Sequence, residues 1–305
     1  MPEARRKNES GFSLLELLAS ISILVVIAGG VFSALSYYLG AYQRTQLTVD
    51  IHDTTRSAID LMTQEIGQAG LLSSTSSSQL TTLSAAVTAG TASQSVAVAS
   101  AANLFVGEKL MVDIGSNQEV VPITAISSNN ISGIFGKSHI SGTSVNATGV
   151  FPQGVLSTST ANQLQLVGDI NGDGTLVYVE YNCNNQSPGP GTLTRSITLI
   201  SAASKNASSV LVDNVMPNPG GTACFQFPSP LPTATVAGTT YTFVPQVGVT
   251  LTVQSSSRDP VTGSFLTITK QALDLVPRNV QMGLALGNAG IANLLQPTPS
   301  SVPMS

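Results

Sequence analysis

The sequence contains no tryptophan, only two histidines and two cysteines, and few charged side chains. Charged residues make up 9% of the 305 residues, whereas hydrophobic residues make up 42%. A formal net charge of −4 argues against the basic surface that binds nucleic acid, so no nucleic-acid partner is expected. Low charge with abundant Ser, Thr, Asn, Gly and Ala is typical of an exported, β-rich protein with long turns.

Common catalytic motifs are absent from the sequence as well. It has no nucleophile elbow, no zinc-binding helix motif and no phosphate-binding loop. His139 has no second histidine or cysteine at metal-binding spacing, and we expect it at a turn or a strand end. His52 stands between acidic neighbours, as expected on a solvent-exposed helix face. The sequence therefore predicts a protein that is not an enzyme.

One long stretch near the N-terminus lacks charge entirely. Residues 17–43 contain no charged side chain, and as a helix this stretch is about 40 Å long, enough to cross a hydrocarbon core of about 30 Å. The basic residues Arg5, Arg6 and Lys7 precede it, and only Arg44 follows closely. The positive-inside rule then predicts a single-pass membrane protein whose N-terminus is cytoplasmic and whose remaining chain is translocated.

The residues at the start of this stretch are Gly11-Phe12-Ser13-Leu14-Leu15-Glu16-Leu17-Leu18. They resemble the prepilin cleavage and methylation motif of type IV pilins and type II secretion pseudopilins. The resemblance implies that a prepilin peptidase cuts after Gly11 and that the new N-terminal residue, Phe12, is N-methylated. It also implies a protein of the bacterial inner membrane with a periplasmic C-terminal domain, which later moves to the pilus or cell surface.

Glu16 directly precedes the uncharged stretch and belongs to the same apolar helix, in which a carboxylate costs about 2.5–3.5 kcal/mol on insertion scales. The resemblance implies that Glu16 pairs with the N-terminal amine of a neighbouring subunit as the helix enters a filament. The alternative is that Glu16 of an ordinary membrane-anchored protein lies in the headgroup region.

Beyond residue 43 the helix is expected to continue as an amphipathic rod. Apolar residues from Leu47 to Ile66 recur at steps of three and four, with charged residues, including Glu65, mostly between them. Gly67 and Gly70 are stop signals, and stretches rich in Val, Ile, Thr and Phe follow. We therefore expect an α+β fold: a long N-terminal pilin helix, transmembrane in its first half, followed by a β-rich globular domain. The expected divisions are a leader (1–11), the helix (12–70), a linker (71–79), a β-rich insertion (80–155), a pilin-like sheet domain with a disulfide loop (156–295) and a disordered tail (296–305).

Parts of the chain beyond the motif resemble PilW-type minor pilins. The helix ends in an Ala-Gly pair at Ala69 and Gly70, as in that family. Residues 164–195 are similar to its pattern of strand, Asp-Asn-Gly turn, strand and returning strand that ends in arginine, here Arg195. Residues 273–280 resemble its closing strand.

The turn in this pattern also resembles a calcium-binding loop. Asp169, Asn171, Asp173 and Glu180 satisfy the spacing of alternating oxygen ligands for this cation. However, 175–181 reads as a strand, which would carry Glu180 about 20 Å beyond the loop, so Glu180 is not expected to be a ligand. The alternatives are a partial calcium site formed by Asp169, Asn171 and Asp173, or a hairpin turn. No cofactor is required, and Ca²⁺ is the one candidate.

The two cysteines, Cys183 and Cys224, both lie in the polar C-terminal half. Export to an oxidising compartment favours a disulfide between them over two free thiols or a metal pair. In the chain-entropy model, closing a loop of this length stabilises the fold by roughly 4 kcal/mol.

The function that these features imply is a minor type IV pilus subunit that enters the pilus or primes its assembly. Its expected partners are the prepilin peptidase, other major and minor pilins, the pilus assembly machinery and the inner membrane. The alternatives are a type II secretion pseudopilin, or a membrane-anchored adhesin or ligand-binding protein that uses the 80–155 insertion.

Overall fold

A computed structural model describes residues 13–72, 80–185 and 189–304. The chain forms two compact units. Within the described residues, the first unit contains 13–50 with Ser255–Leu266, and the second contains Ile51–Gln254 with 267–304. A long helix followed by antiparallel sheets confirms the predicted α+β fold class.

Helix α1 extends over Leu14–Gln68. It begins where the Ser13 hydroxyl accepts a hydrogen bond from the Glu16 backbone N–H at 3.2 Å, as in an N-cap. It ends before Gly70, whose φ of +84° is a left-handed conformation that glycine adopts without strain. Gly67 does not stop the helix but lies within it.

From Ile51 onward α1 packs against the core of the second unit, and its buried positions recur at helical spacing. They are Ile51, Thr55, Ala58, Ile59, Met62, Glu65 and Ile66. This confirms the predicted amphipathic rod with one correction, because Glu65 was expected between the apolar positions and is instead buried.

The 80–155 stretch forms seven short strands in two small sheets. The strands are β1 (Thr81–Thr82), β2 (Gln94–Ala97), β3 (Lys109–Val112), β4 (Glu119–Pro122), β5 (Ala125–Ser127), β6 (Asn130–Gly133) and β7 (Ser144–Ala147). One sheet has the order β1-β7-β3-β4 and the other β2-β6-β5. They enclose a core of their own around Leu110, Ile131, Phe135 and Val145. The boundaries predicted for this insertion stay a prediction.

The remaining strands form a seven-stranded sheet and a separate hairpin. They are β8 (Gln163–Gly168), β9 (Val177–Asn184), β10 (Gly191–Leu199), β11 (Ser209–Met216), β12 (Phe225–Gln226), β13 (Thr233–Val236), β14 (Thr239–Thr242), β15 (Val247–Arg258) and β16 (Phe265–Leu275). The large sheet has the order β12-β15-β11-β10-β9-β8, and β16 pairs with β15. Met62 and Ile66 of α1 share a core with Leu166, Val179 and Leu251 of this sheet.

Two expectations for the C-terminal part are corrected. The closing strand expected at 273–280 is the end of β16 followed by helix α2 (Arg278–Asn288), which begins after Pro277. The expected disordered tail is ordered through residue 304, because Gln296 is buried and bonded to the Lys109 and Thr148 carbonyls, and Met304 packs in an apolar cluster.

Candidate membrane-anchoring and assembly site

The predicted processing residues lie at and before the start of α1. Gly11 and Phe12 lie outside the described residues, so their roles stay predictions. Glu16 is in the first turn of α1, and its side chain is exposed. Within the described part of the chain the Glu16 carboxylate forms no ion pair. The geometry thus leaves this carboxylate accessible to a positive group from outside the described residues.

The first half of α1 is apolar and exposed around its circumference. Leu14, Val26 and Phe32 are 77%, 75% and 69% exposed, and none of its most apolar window is buried. The hydroxyls of Ser20 and Ser22 donate to the backbone carbonyls one turn earlier, so these polar groups are satisfied within the helix. Among the described residues this is the one helix long and apolar enough to cross a membrane, judged by length and composition. An apolar surface of this size needs lipid or other subunits as its partner.

Tyrosines mark the far end of the apolar stretch. Tyr37, Tyr38 and Tyr42 are 77%, 67% and 53% exposed. Tyrosine is enriched where a helix leaves the hydrocarbon core, because the ring is apolar and the hydroxyl is polar. These three residues are consistent with a membrane–water boundary near residue 40.

A buried polar network holds the last turns of α1 to the sheet. The Glu65 carboxylate accepts hydrogen bonds from the Tyr181 hydroxyl and the Arg195 guanidinium, whose Nε lies 3.2 Å from Glu65 Oε2. Burial and then the Glu65 charge raise the pKa of Tyr181. Burial lowers the pKa of Arg195, but Glu65 reverses this effect and the net change is upward. The network pairs the buried Glu65 carboxylate with the Arg195 guanidinium inside the protein.

The end of α1 is also closed by hydrogen bonds and tight packing. The Asn279 side-chain amide donates to the Gln68 and Ala69 carbonyls, which have no partner within the helix. The Gly70 N–H donates to the Val167 carbonyl at 2.9 Å. A β-carbon at Gly154 would lie 2.3 Å from Gly70 Cα, so only glycine fits there.

The candidate calcium loop is stabilised by its own backbone. Asp169 is fully buried, and its carboxylate oxygens accept the Asp173 and Gly174 N–H groups at 3.0 and 2.9 Å. Asp173 accepts the Thr175 N–H at 2.8 Å. These are the hydrogen bonds of an Asx-type turn. Calcium binding by Asp169, Asn171 and Asp173 stays a prediction.

Glu180 lies on β9 and is hydrogen-bonded to side chains outside the candidate calcium loop. Its buried carboxylate accepts hydrogen bonds from Tyr178, Asn182 and Lys205 at 2.6, 2.7 and 2.8 Å. Burial raises the pKa of Glu180, but the bond from Lys205 and then the other two outweigh it, and the pKa falls below its ordinary value. Burial and Glu180 together raise the pKa of Tyr178.

The expected disulfide between Cys183 and Cys224 is present, with the two Cα atoms 6.4 Å apart. Cys183 lies on β9 and Cys224 directly precedes β12. Both are buried in the core that also contains Met62 and Ile66 of α1. The bridge fixes the intervening chain to the same sheet against which the helix packs.

The two histidines occupy different settings. His52 is exposed on α1, as expected.

His139 is buried and pairs with Val87 in an isolated bridge. Its Nδ1 lies 3.0 Å from Asp113 Oδ2 and its Nε2 lies 2.7 Å from Glu119 Oε1, carboxylates that sequence reasoning did not connect with it. Hydrogen bonds from Asn117 and His139 lower the pKa of Asp113 to about 2. The described residues contain no group of three or more His, Cys, Asp or Glu placed so that it could hold a metal ion.

One comparison with known proteins identifies the class of motif at the N-terminus. A family model described as the prokaryotic N-terminal methylation motif matches residues 6–32. The match includes Gly11, Phe12 and Glu16 and supports a type IV pilin or pseudopilin. Such a motif implies processing by a prepilin peptidase and association with other pilins. No curated protein and no solved structure gives a significant match to the chain.

Proposed function

We propose that this protein is a minor type IV pilin, made as an inner-membrane precursor and processed after Gly11 before it joins a pilus. The observation that carries the proposal is the methylation motif at 6–32 followed by an exposed apolar helix. The motif supplies the processing route, and the helix supplies the surface that must be covered after processing. The minor-pilin part of the proposal is supported by the resemblance of the helix end and of 164–195 to PilW-type subunits.

Glu16 is the residue that connects the membrane form with the filament. Its carboxylate is exposed on an apolar helix, where an unpaired charge is costly in lipid. A positively charged amine on Phe12 of a neighbouring subunit would offset this cost and fix the axial register between two helices. The membrane form and the filament form then use the same apolar surface with different neighbours.

Incorporation into filaments tests the proposal in cells that carry a type IV pilus system. We expect the wild-type chain in the sheared filament fraction and a strong loss of the Glu16→Leu variant from it, with equal amounts of both in membranes. Asp53→Leu is the matched control, because it removes an exposed carboxylate from the same helix outside the apolar stretch. Equal incorporation of all three chains would contradict the role of Glu16.

A wild-type chain that is processed but never found in the pilus fraction would instead favour a secretion-system pseudopilin. A chain that is neither processed nor incorporated would favour a membrane-anchored adhesin or ligand-binding protein. Immunoblots of membrane, filament and secreted fractions distinguish these outcomes.

A further inference from the structure

The β15–β16 hairpin tip, defined as residues 258–265, belongs to the same compact unit as the first part of α1. The side chain of Arg44 on α1 reaches it, with Nε 3.5 Å from Asp259 Oδ2. Val261 lies beside Gly40, because a β-carbon built on that glycine would be 3.7 Å from Val261 Cγ2. The hairpin tip therefore lies beside α1 at residues 40–44.

These contacts place the hairpin tip at a defined level of the helix. The apolar part of α1 from 14 to 35 is about 33 Å long, close to the hydrocarbon thickness of about 30 Å. Gly40 is about 7 Å further along the axis, between Tyr38 and Tyr42, which places it at the outer edge of the headgroup layer of a bilayer about 40–45 Å thick in total.

The hairpin tip presents the side chains that suit such a layer. Val261 and Phe265 are 52% and 40% exposed. The Arg258 guanidinium lies 4.9 Å from the centre of the Phe265 ring and donates to the Gly263 carbonyl at 2.9 Å. In the described ranges Arg258 has no carboxylate partner. An arginine beside exposed apolar side chains can bind a lipid phosphate while these side chains enter the outer part of the bilayer.

The hairpin tip is held in one conformation by Asp259, whose side chain is fully buried. Its carboxylate accepts the Val261 N–H at 3.0 Å and the Thr262 hydroxyl at 2.8 Å, in addition to the Arg44 contact. The Asp259 and Gly263 N–H groups donate to the Ser264 and Asp259 carbonyls. Because the turn is already ordered, contact with a surface costs little further conformational entropy.

We propose that the hairpin tip is a second membrane contact, in which Arg258 binds phospholipid phosphate and Val261 and Phe265 enter the headgroup layer beside Gly40. This rests on the proposed function, because it requires α1 to span a membrane before assembly. The contact would hold the precursor at the outer surface of the inner membrane, and extraction into a filament would break it.

Depth-dependent quenching in lipid nanodiscs tests the proposal with the full chain. A fluorophore is attached to Ser264→Cys in the hairpin tip and, in a second sample, to Ser33→Cys in the apolar half of α1. The nanodiscs contain phosphatidylethanolamine and phosphatidylglycerol, with a quencher either on the headgroup or deep in the acyl chain. We expect the headgroup quencher to act on the label at 264 and the acyl-chain quencher on the label at 33.

The two labels separate failure of this proposal from failure of the proposed function. One outcome is that the acyl-chain quencher acts on the label at 33 but neither quencher acts on the label at 264. In that case α1 spans the bilayer but the hairpin tip does not touch it. If neither quencher acts on the label at 33 either, α1 does not span the bilayer, and the proposed function fails as well. Stronger quenching of the label at 264 by the acyl-chain quencher would contradict a headgroup position.

Substitutions then test the chemistry of the contact. We expect Arg258→Gln to lose headgroup quenching at 264 in phosphatidylglycerol, and a Val261→Ser, Phe265→Ser double variant to lose it in any lipid. Val210→Ser is the matched control, because this valine is also about half exposed but lies on β11. Quenching that is unchanged in both test variants would overturn the proposed roles of these residues, and would favour contact with another part of the bilayer or with a second subunit.

Discussion

At the scale of single residues, Glu65 and Arg195 show how a buried charge is retained. The two side chains are 5% and 20% exposed, and they are 130 positions apart in the chain. Removing one partner of a buried pair leaves the other charge without compensation, which is more costly than losing an exposed pair. The pair connects α1 with β10, so its loss should loosen the packing of the helix on the sheet.

We expect Arg195→Met to lower the free energy of unfolding by about 3–5 kcal/mol, because Glu65 would remain buried without a cation. The control is Arg56→Met, which removes an exposed pair with Asp60 whose side chains are 74% and 69% exposed. That change should cost less than about 1 kcal/mol. Denaturant unfolding of the full chain in detergent measures both, and equal effects would contradict the role of the buried pair.

Glu108 is a second buried carboxyl, but it forms no ion pair among the described residues. Burial raises its pKa from 4.5 to about 8, although the Phe105 N–H, 3.2 Å from Oε2, opposes this rise. Between these two pH values the folded state holds a proton that the unfolded state has released. This group therefore makes stability fall as the pH rises from 4.5 to about 8.

We expect Glu108→Gln to remove this pH-dependent loss, because the amide has no proton to release. At about 1.4 kcal/mol per pKa unit, the variant should gain up to roughly 4 kcal/mol relative to the wild type on going from pH 4.5 to pH 8. Unfolding measured at both pH values tests this, with Asp60→Asn as an exposed control. A difference between variant and wild type that does not change with pH would show that Glu108 is already ionised in the folded protein.

At the scale of elements, the packing of α1 against its neighbours depends on one close approach between backbones. Gly154 faces Gly70 at the end of the helix, and no side chain fits between them. Phe151 and Gly70 are also joined by a backbone hydrogen bond of 2.9 Å. The backbone at the end of the helix is therefore in direct contact with the backbone of the segment before β8.

We expect Gly154→Ala to cost about 1–3 kcal/mol, because the added methyl would overlap backbone atoms that cannot move independently. Gly67→Ala is the matched control, since a β-carbon at Gly67 meets nothing within 4 Å and α1 continues through this position. That control should be neutral or stabilising by up to about 1 kcal/mol. Thermal unfolding measures the stability of both variants. A Gly154→Ala variant as stable as the wild type would contradict this account.

Local sequence patterns predicted the elements that depend on local chemistry. The apolar run, the three- and four-residue spacing and the glycine at position 70 were enough to locate α1, which ends at Gln68. Helix α2 was missed because Gly283 and Gly287 weaken its helical signal. Both glycines lie close to Phe243, and Gly287 also lies against Ala234, so the reason for them is tertiary packing. The partners of Glu65 and His139 were missed because they lie far away in the sequence.

At the scale of the whole molecule, the chain combines a processing motif, an exposed apolar helix and an ordered β-rich part. Of these, the sequence predicted the motif and the helix directly, and the family model supports the motif independently. The arrangement of β1–β7 in two small sheets could not be predicted, because it depends on pairings between strands that local patterns do not specify. The account of the protein as a pilin depends on whether the chain is cleaved and methylated at this motif.

The most direct measurement is the intact mass of the chain produced in membranes with and without a prepilin peptidase. We expect the peptidase to remove residues 1–11 and the product to carry one added methyl group on Phe12. Gly11→Ala should block this change, whereas Gly29→Ala, a control glycine inside α1 with open space around it, should not. An uncut chain, or a cut after the apolar stretch, would contradict the pilin account.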